Sequence, residues 1–211
     1  ALANVHSFDG LLEALGRSLY VKTLERARRS PQEPVSVAAV EHELYLDYYA
    51  GIHRLIDRHF HGKTAGDLHA LFVSQAQIHN IAVLYRLKRF FGAGPEEVRR
   101  LMLPYNGRLP RRVMRRLVEA PDDRAMLEAL SHSRYAPYFS PENFSSIEFG
   151  LNSIRYRTSR RYLTFSQNPA TAFVAFMTLR ELEVENLINI IEGVRYGLDA
   201  SQIRSLLIHS T

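Results

Sequence analysis

The sequence predicts an all-α protein, and three observations predict it. Apolar residues recur at helical spacing, and capping residues and prolines stand where helices would begin. Alternating apolar and polar runs of strand type are scarce; Asn106-Gly107, a common hairpin dipeptide, follows Pro104 and precedes Arg108-Leu109-Pro110 instead of joining two such runs. At 211 residues the chain suits one or two domains. With 46% hydrophobic and 23% charged residues it has an ordinary globular balance, not a disordered one.

The helices are expected at about 8–28, 37–60, 65–91, 95–102, 110–119, 123–133, 141–165, 169–195 and 200–208. A polar double-proline linker, Ser30-Pro31-Gln32-Glu33-Pro34, separates the first two. Val37, Val40, Leu44, Gly51, Leu55 and Ile56 form the stripe of the second. Thr64 with Asp67 resembles a capping box for the third, and Gly92 sits where it should stop. Gly94-Pro95-Glu96-Glu97 starts the fourth with acids in the first turn, where the helix dipole favours them. Ser140-Pro141-Glu142 starts the helix whose stripe is Phe144, Ile147, Leu151 and Ile154. Asn168-Pro169 starts the longest helix of the second half, which Gly197 follows, and Asp199 with Gln202 caps the last.

On the helix at 169–195, Glu181, Glu185 and Glu192 fall within roughly 40° of one another at about 100° per residue. Phe173, Phe176, Met177, Val184, Leu187, Ile188 and Ile191 cover the opposite, wider arc. A mostly buried helix with one narrow acidic groove is expected. Three carboxylates on one face need a positive partner, and Arg155, Arg157, Arg160 and Arg161 are the nearest candidates across an αα-hairpin.

The chain also repeats. Leu12-Glu13-Ala14-Leu15 with Ser18 and Tyr20 recurs as Leu127-Glu128-Ala129-Leu130 with Ser133 and Tyr135. Glu41 and Leu44 recur as Glu148 and Leu151. Asn80-Ile81, Arg89-Phe90, Val98, Arg99 and Leu101 recur as Asn186-Leu187, Arg195-Tyr196, Ile203, Arg204 and Leu206. Two units are expected, residues 1–120 and 121–211, in one continuous body.

Much chemistry is missing. Without cysteine there are no disulfides, thiolate metal sites or Cys nucleophiles, which fits a reducing compartment. No glycine-rich phosphate loop exists, His42-Glu43 lacks the second His of a zincin, and no Glu-x-x-His pair is present. His59 and His61, with His53 and Asp57, are candidate metal donors, but on a helix 59 and 61 point about 200° apart, so they read as a solvated helix end. Glu181 and Glu185 read as ion-pair partners rather than acid–base catalysts. Catalytic, cofactor-binding and metal-ligating residues are therefore expected to be absent. The net charge is +5, almost all of the positive charge being arginine since the only lysines are Lys22, Lys63 and Lys88. Arg111-Arg112-x-x-Arg115-Arg116 would suit phosphates but reads as a solvated face. No apolar run approaches 18 residues, and the chain begins at Ala1 with no signal peptide, as a fragment or trimmed chain would.

The segment Glu181-Leu182-Glu183-Val184-Glu185-Asn186-Leu187-Ile188-Asn189-Ile190-Ile191-Glu192-Gly193-Val194-Arg195-Tyr196-Gly197-Leu198 resembles the C-terminal signature of the central-stalk connector of V-type and A-type rotary ATPases, the component lettered C (d in eukaryotes). The same ending is matched internally by His79-Asn80-Ile81 through Arg86-x-Lys88-Arg89-Phe90-Phe91-Gly92, and Leu103-Pro104-x-x-Gly107-Arg108-Leu109 is similar to the loop that follows. The resemblance covers most of the chain, and the last 45 residues most strongly. It implies a non-catalytic central-stalk part, without cofactor or metal, in a funnel-like bundle of three helical units. Such a funnel sits on the cytoplasmic face of a membrane, peripheral to it, over the ring of proteolipid subunits. It receives the tip of the central shaft, so that torque passes between ATP chemistry and ion transport. No nucleic acid is implied. With two units, this chain is expected to be a short variant or fragment covering about the C-terminal two thirds of such a protein, with exposed apolar helix faces and self-association in isolation. The alternative reading is a basic all-α nucleic-acid-binding or regulatory module, which requires arginines gathered on one continuous face.

Overall fold

The computed structural model describes residues 5–28, 35–139 and 146–208. Among these there is no strand. The helices in order are α1 (Phe8–Leu15), α2 (Tyr20–Ala27), α3 (Val37–His59), α4 (Gly62–Phe91), α5 (Pro95–Arg100), α6 (Arg111–Glu119), α7 (Asp123–Ser131), α8 (Ile147–Phe165), α9 (Pro169–Arg195) and α10 (Ala200–Ser205), with a short 3-10 turn at Ala136–Tyr138.

Local chemistry sets most of the boundaries. Ser36, Asp122 and Ser146 each accept a hydrogen bond from the amide three residues on, capping α3, α7 and α8. Asn168 caps α9 through the amides of Ala170 and Thr171, with Pro169 at the first helical position. Asp199 and Gln202 form the expected reciprocal box on α10. Gly92 ends α4 at φ +58°, a conformation that a Cβ would strain.

Several expectations are corrected. The predicted helix 8–28 is two helices: Gly16, at φ +55°, ends α1, and the Ser18 hydroxyl accepts from the Tyr20 amide to start α2. The predicted helix 65–91 begins three residues earlier, at Gly62, so Thr64 lies inside it and its hydroxyl accepts from the Asn168 amide side chain (2.6 Å) instead of capping. The α3 helix stops at His59, so His59 and His61 stand on either side of a break and not on one helix. The double-proline linker and the Ser140-Pro141-Glu142 start lie outside the described residues, as does Phe144.

The α4 helix is the central element, packing against α3, α7, α8 and α9. The main core forms where its C-terminal half meets α6, α7 and α8. Ile81, Leu84, Val98, Leu117, Met126 and Leu130 are fully buried there, so the core runs straight across residue 120. Gly150 lets α8 close on the 3-10 turn; a Cβ there would lie 2.6 Å from the Phe139 ring. A smaller cluster of Tyr49, Ala76 and Leu103 joins α3 to α4. The predicted stripe of α8 is buried at Ile147, Leu151 and Ile154.

The stripe of α3 is only partly buried: Ile56 is covered, whereas Val37 is 83% and Leu55 56% exposed. The expectation for α9 is overturned more fully. Its buried line is narrow, Thr171, Ala175, Thr178 and Leu182, at i, i+4, i+7 and i+11. The wide apolar arc faces outward, with Val184 55%, Leu187 54% and Ile191 66% exposed. Small side chains permit α9 to lie close against α8 and α4, so the close face is the one with least bulk, not the most apolar one.

Candidate functional site

Two of the three carboxylates expected to share a face of α9, Glu181 and Glu185, meet one arginine. Arg155 Nη2 lies 2.6 Å from Glu181 Oε2 and its Nη1 lies 3.6 Å from Glu185 Oε1. Asn152 Nδ2 donates to Glu185 at 2.7 Å. Arg155 is 19% exposed, while Glu181 is 60% and Glu185 38% exposed, so the groove lies at the edge of the α8–α9 hairpin and not inside the body. The other arginines of α8 turn elsewhere: Arg157 lies over the Tyr138 ring, Arg161 over Tyr162, and Arg160 donates to the Tyr156 hydroxyl. The paired carboxylates are thus ion-pair partners that bind α8 to α9.

Three of the titratable residues near the α3–α4 turn gather, and one of them was not foreseen. His53 Nδ1 lies 2.5 Å from His69 Nδ1, and His69 Nε2 lies 2.8 Å from Asp57 Oδ1. If His69 donates to Asp57, its Nδ1 accepts and His53 supplies the shared proton. Burial, then the neighbouring His69, pushes the His53 pKa down, while Asp57 pulls it the other way. Asp57 is 68% exposed, so this line of groups opens to water and ties α3 to α4 without an enclosing cavity. Sequence reading missed His69, although a signal exists: His53 and His69 each stand eight residues from His61, the pivot of the turn. Among the described residues, no group of three or more His, Cys, Asp or Glu side chains is placed to hold a metal ion.

Further along α4, again against α3, His79 packs on the Tyr45 ring at 4.0 Å, and burial, then Arg86, pushes its pKa down to about 4. The Arg26 side chain joins α2 to α3 through Glu43 (2.9 Å) and Asp47 (2.7 Å); its bond, then that from Thr23, lowers the Asp47 pKa. The run Arg111, Arg112, Arg115 and Arg116 is exposed on α6, where Arg115 approaches Glu119.

The best-formed polar features hold backbone rather than ligand. Asn80 brackets Leu103: its Nδ2 donates to the carbonyl (2.9 Å) and its Oδ1 accepts from the amide (2.8 Å). Asn186 brackets Ile208 in the same way, at 2.7 and 2.8 Å. Gln77 does so for Leu109, at 3.3 and 2.9 Å. Sequence reading aligned Asn80 with Asn186 but assigned neither a role. In each case a buried or half-buried amide satisfies a chain segment that crosses a long helix with no helical partner of its own. Ser133 accepts from the Tyr135 amide (3.0 Å) as Ser18 does from Tyr20 (3.2 Å), so the same Ser-to-Tyr hydrogen bond follows each of the aligned LEAL strings.

Among the described residues, no helix is long and apolar enough to cross a membrane. The sequence model of the family described as ATP synthase (C/AC39) subunit matches residues 1–206, which is nearly the whole chain and not only the strongly similar last 45 residues. No curated protein matches it.

Proposed function

Because the chain belongs to the ATP synthase (C/AC39) subunit family, and is therefore a subunit of a V/A-type ATP synthase, we propose that it is the non-catalytic connector between the central shaft and the proteolipid ring. In this reading it lies peripherally at the cytoplasmic face of the membrane and passes torque from one to the other, in a motor that translocates protons or sodium. The observation that carries the reading is the family match over residues 1–206.

The physical traits of the molecule agree with a mechanical part. A connector must resist twist, and stiffness comes from packed long helices whose crossing segments are tied down. The α4 helix meets four neighbours, the α8–α9 hairpin is locked by Arg155, and buried or half-buried amides clamp the segments at 103, 109 and 208.

The same reading treats the two halves, 1–120 and 121–211, as copies of one unit. It is supported by the paired Asn brackets, the paired Ser–Tyr turns and the positive φ of both Gly92 and Gly197.

The test is capture of the chain by the shaft subunit and, separately, by the detergent-solubilised proteolipid ring of its own complex. Saturable binding to both is expected. Binding to neither would end the connector reading.

A further inference from the structure

We propose that the His53–His69 contact is a proton-operated latch on the α3–α4 hairpin, closed while the two rings share one proton and opened at the hairpin tip by a second. It does not depend on the connector reading. His53 stands on α3 and His69 on α4, with the break between the helices at Phe60 and His61. The two rings lie 14° from parallel with centroids 4.8 Å apart, and the Tyr105 ring packs on His53 at 4.9 Å.

The Nδ1 atoms face each other at 2.5 Å, so one of them carries a proton and the other a lone pair. Asp57 decides which. Its carboxylate accepts from His69 Nε2 at 2.8 Å, which places the His69 proton there and leaves His69 Nδ1 as the acceptor. His53 therefore donates from Nδ1, and its Nε2, buried and without a hydrogen-bond partner, bears a lone pair. A second proton has two destinations. On His53 Nε2 it makes a buried N–H with no acceptor, on a charged ring. On His69 Nδ1 it sets two N–H groups head to head, which breaks the contact but leaves an imidazolium beside the Asp57 carboxylate. The second destination is favoured, and it releases α4 from α3 at the tip. Burial, then His69, already holds the His53 pKa below its ordinary value against the pull of Asp57, as a closed pair that resists the second proton requires.

The other groups around the tip leave this choice to Asp57. Arg54 and Arg58 on α3 are exposed, as are His59 and His61 at the break. On α4, Lys63 is paired with Asp67 at 3.6 Å. The α9 helix reaches the tip through Asn168 on Thr64, an uncharged contact. Arg26 of α2 is held by Glu43 and Asp47, and Arg155 of α8 by Glu181 and Glu185. The α6 and α7 helices meet α4 in its C-terminal half, away from the tip. The Tyr105 hydroxyl, whose pKa burial raises, stays neutral in acid. Opening is confined to the tip, because Asn80 holds Leu103 and Gln77 holds Leu109 on either side of Tyr105 through amides that do not titrate.

Amide hydrogen exchange of the full chain between about pH 7.5 and about pH 5.5, read as protection relative to the intrinsic rate, tests this. Residues 54–69 are expected to lose protection by up to about tenfold per pH unit below about 6.5, the linkage of one proton. The Leu103 and Leu109 amides are expected to keep theirs, whereas a global loss of stability through His79 exposes every segment alike. His53→Phe keeps a ring between Tyr105 and His69 without a nitrogen, and is expected to make the protection of 54–69 independent of pH. Circular dichroism checks that it folds; if it does not, Asp57→Asn replaces it, at an exposed position. That variant keeps an acceptor for His69 but removes the charge that favours the imidazolium, so the loss of protection is expected to begin at lower pH. Imidazole nitrogen NMR at about pH 7.5 is expected to find the His53 proton on Nδ1 and the His69 proton on Nε2. Four results would overturn the proposal: protection at 54–69 that is flat with pH in the parent chain, a fall that persists in His53→Phe, as it does if His59 and His61 cause it, an onset in Asp57→Asn at the same or higher pH, or a His53 proton on Nε2.

Discussion

The α4 and α9 helices carry aligned sequences and end in comparable ways, yet one is the centre of the molecule and the other is half bare. On α4 the face containing Ile78 and Ile81 is closed under α6, α7 and α8. On α9 the aligned face, Val184 and Leu187, meets solvent. The difference teaches that an apolar stripe identifies residues that belong together but not what lies over them. Cover comes from other segments of chain, and among the described residues α10 and the stretch to Ile208 leave the Val184 and Leu187 face of α9 open.

The comparison breaks most sharply at the stripe itself. Ile81→Ala is expected to lower the unfolding free energy by about 2–4 kcal/mol, as large-to-small changes in packed cores do. Leu187→Ala, at the aligned position, is expected to change it by less than about 0.5 kcal/mol in the monomer. Urea unfolding of dilute protein measures both, and equal losses would show that α9 is covered after all.

Next come the brackets. Asn80 is 1% exposed and its removal strands both the amide and the carbonyl of Leu103. Asn80→Ala is expected to cost about 2–3 kcal/mol, and Asn186→Ala, half-buried over Ile208, about 1 kcal/mol because water can reach the freed groups. Smaller again is Arg155→Ala, at about 1 kcal/mol or less, since both of its carboxylate partners are more than a third exposed and the pair is screened. That loss should shrink in high salt.

A further contrast is one of pH. His79 on α4 is aligned with Glu185 on α9. Burial holds the folded His79 neutral down to about pH 4, while the unfolded imidazole takes a proton near 6.5. The unfolded state therefore binds more protons between those values, and stability falls as the pH drops from 6.5 towards 4, by at most about 1.4 kcal/mol per pH unit from this one group. His79→Gln should flatten that limb of a plot of unfolding midpoint against pH. An unchanged slope would mean that the imidazole titrates normally in the fold.

Much of the fold was legible because it depends on local chemistry. Asn168-Pro169, Asp199 with Gln202, Gly94-Pro95 and Gly92 act within a few residues, and each does what the sequence indicates. The break at Gly16 was hidden because helix-forming residues stand on both sides of it. Thr64 and Asp67 have the spacing of a cap, but the helix nucleates earlier, at Gly62, where α3 turns back. Burial of α9 was misread because periodicity contains no information about cover. The His53–His69 contact needs the pivot of the α3–α4 hairpin, which lies in tertiary geometry and shows in the sequence only once the turn is placed at His61. Ion pairing of Glu181 and Glu185 with Arg155 was legible, since an acidic face on one arm of a hairpin calls for a base on the other; which of four arginines answers was not.

The connector account is tested most directly by measuring ATP hydrolysis and ion uptake together in membrane vesicles of the parent complex, assembled with and without this chain. Uptake that disappears on omission and returns on adding the chain back, while the catalytic head hydrolyses ATP throughout, is the predicted result. Uptake that proceeds at the same rate per ATP without the chain would contradict it.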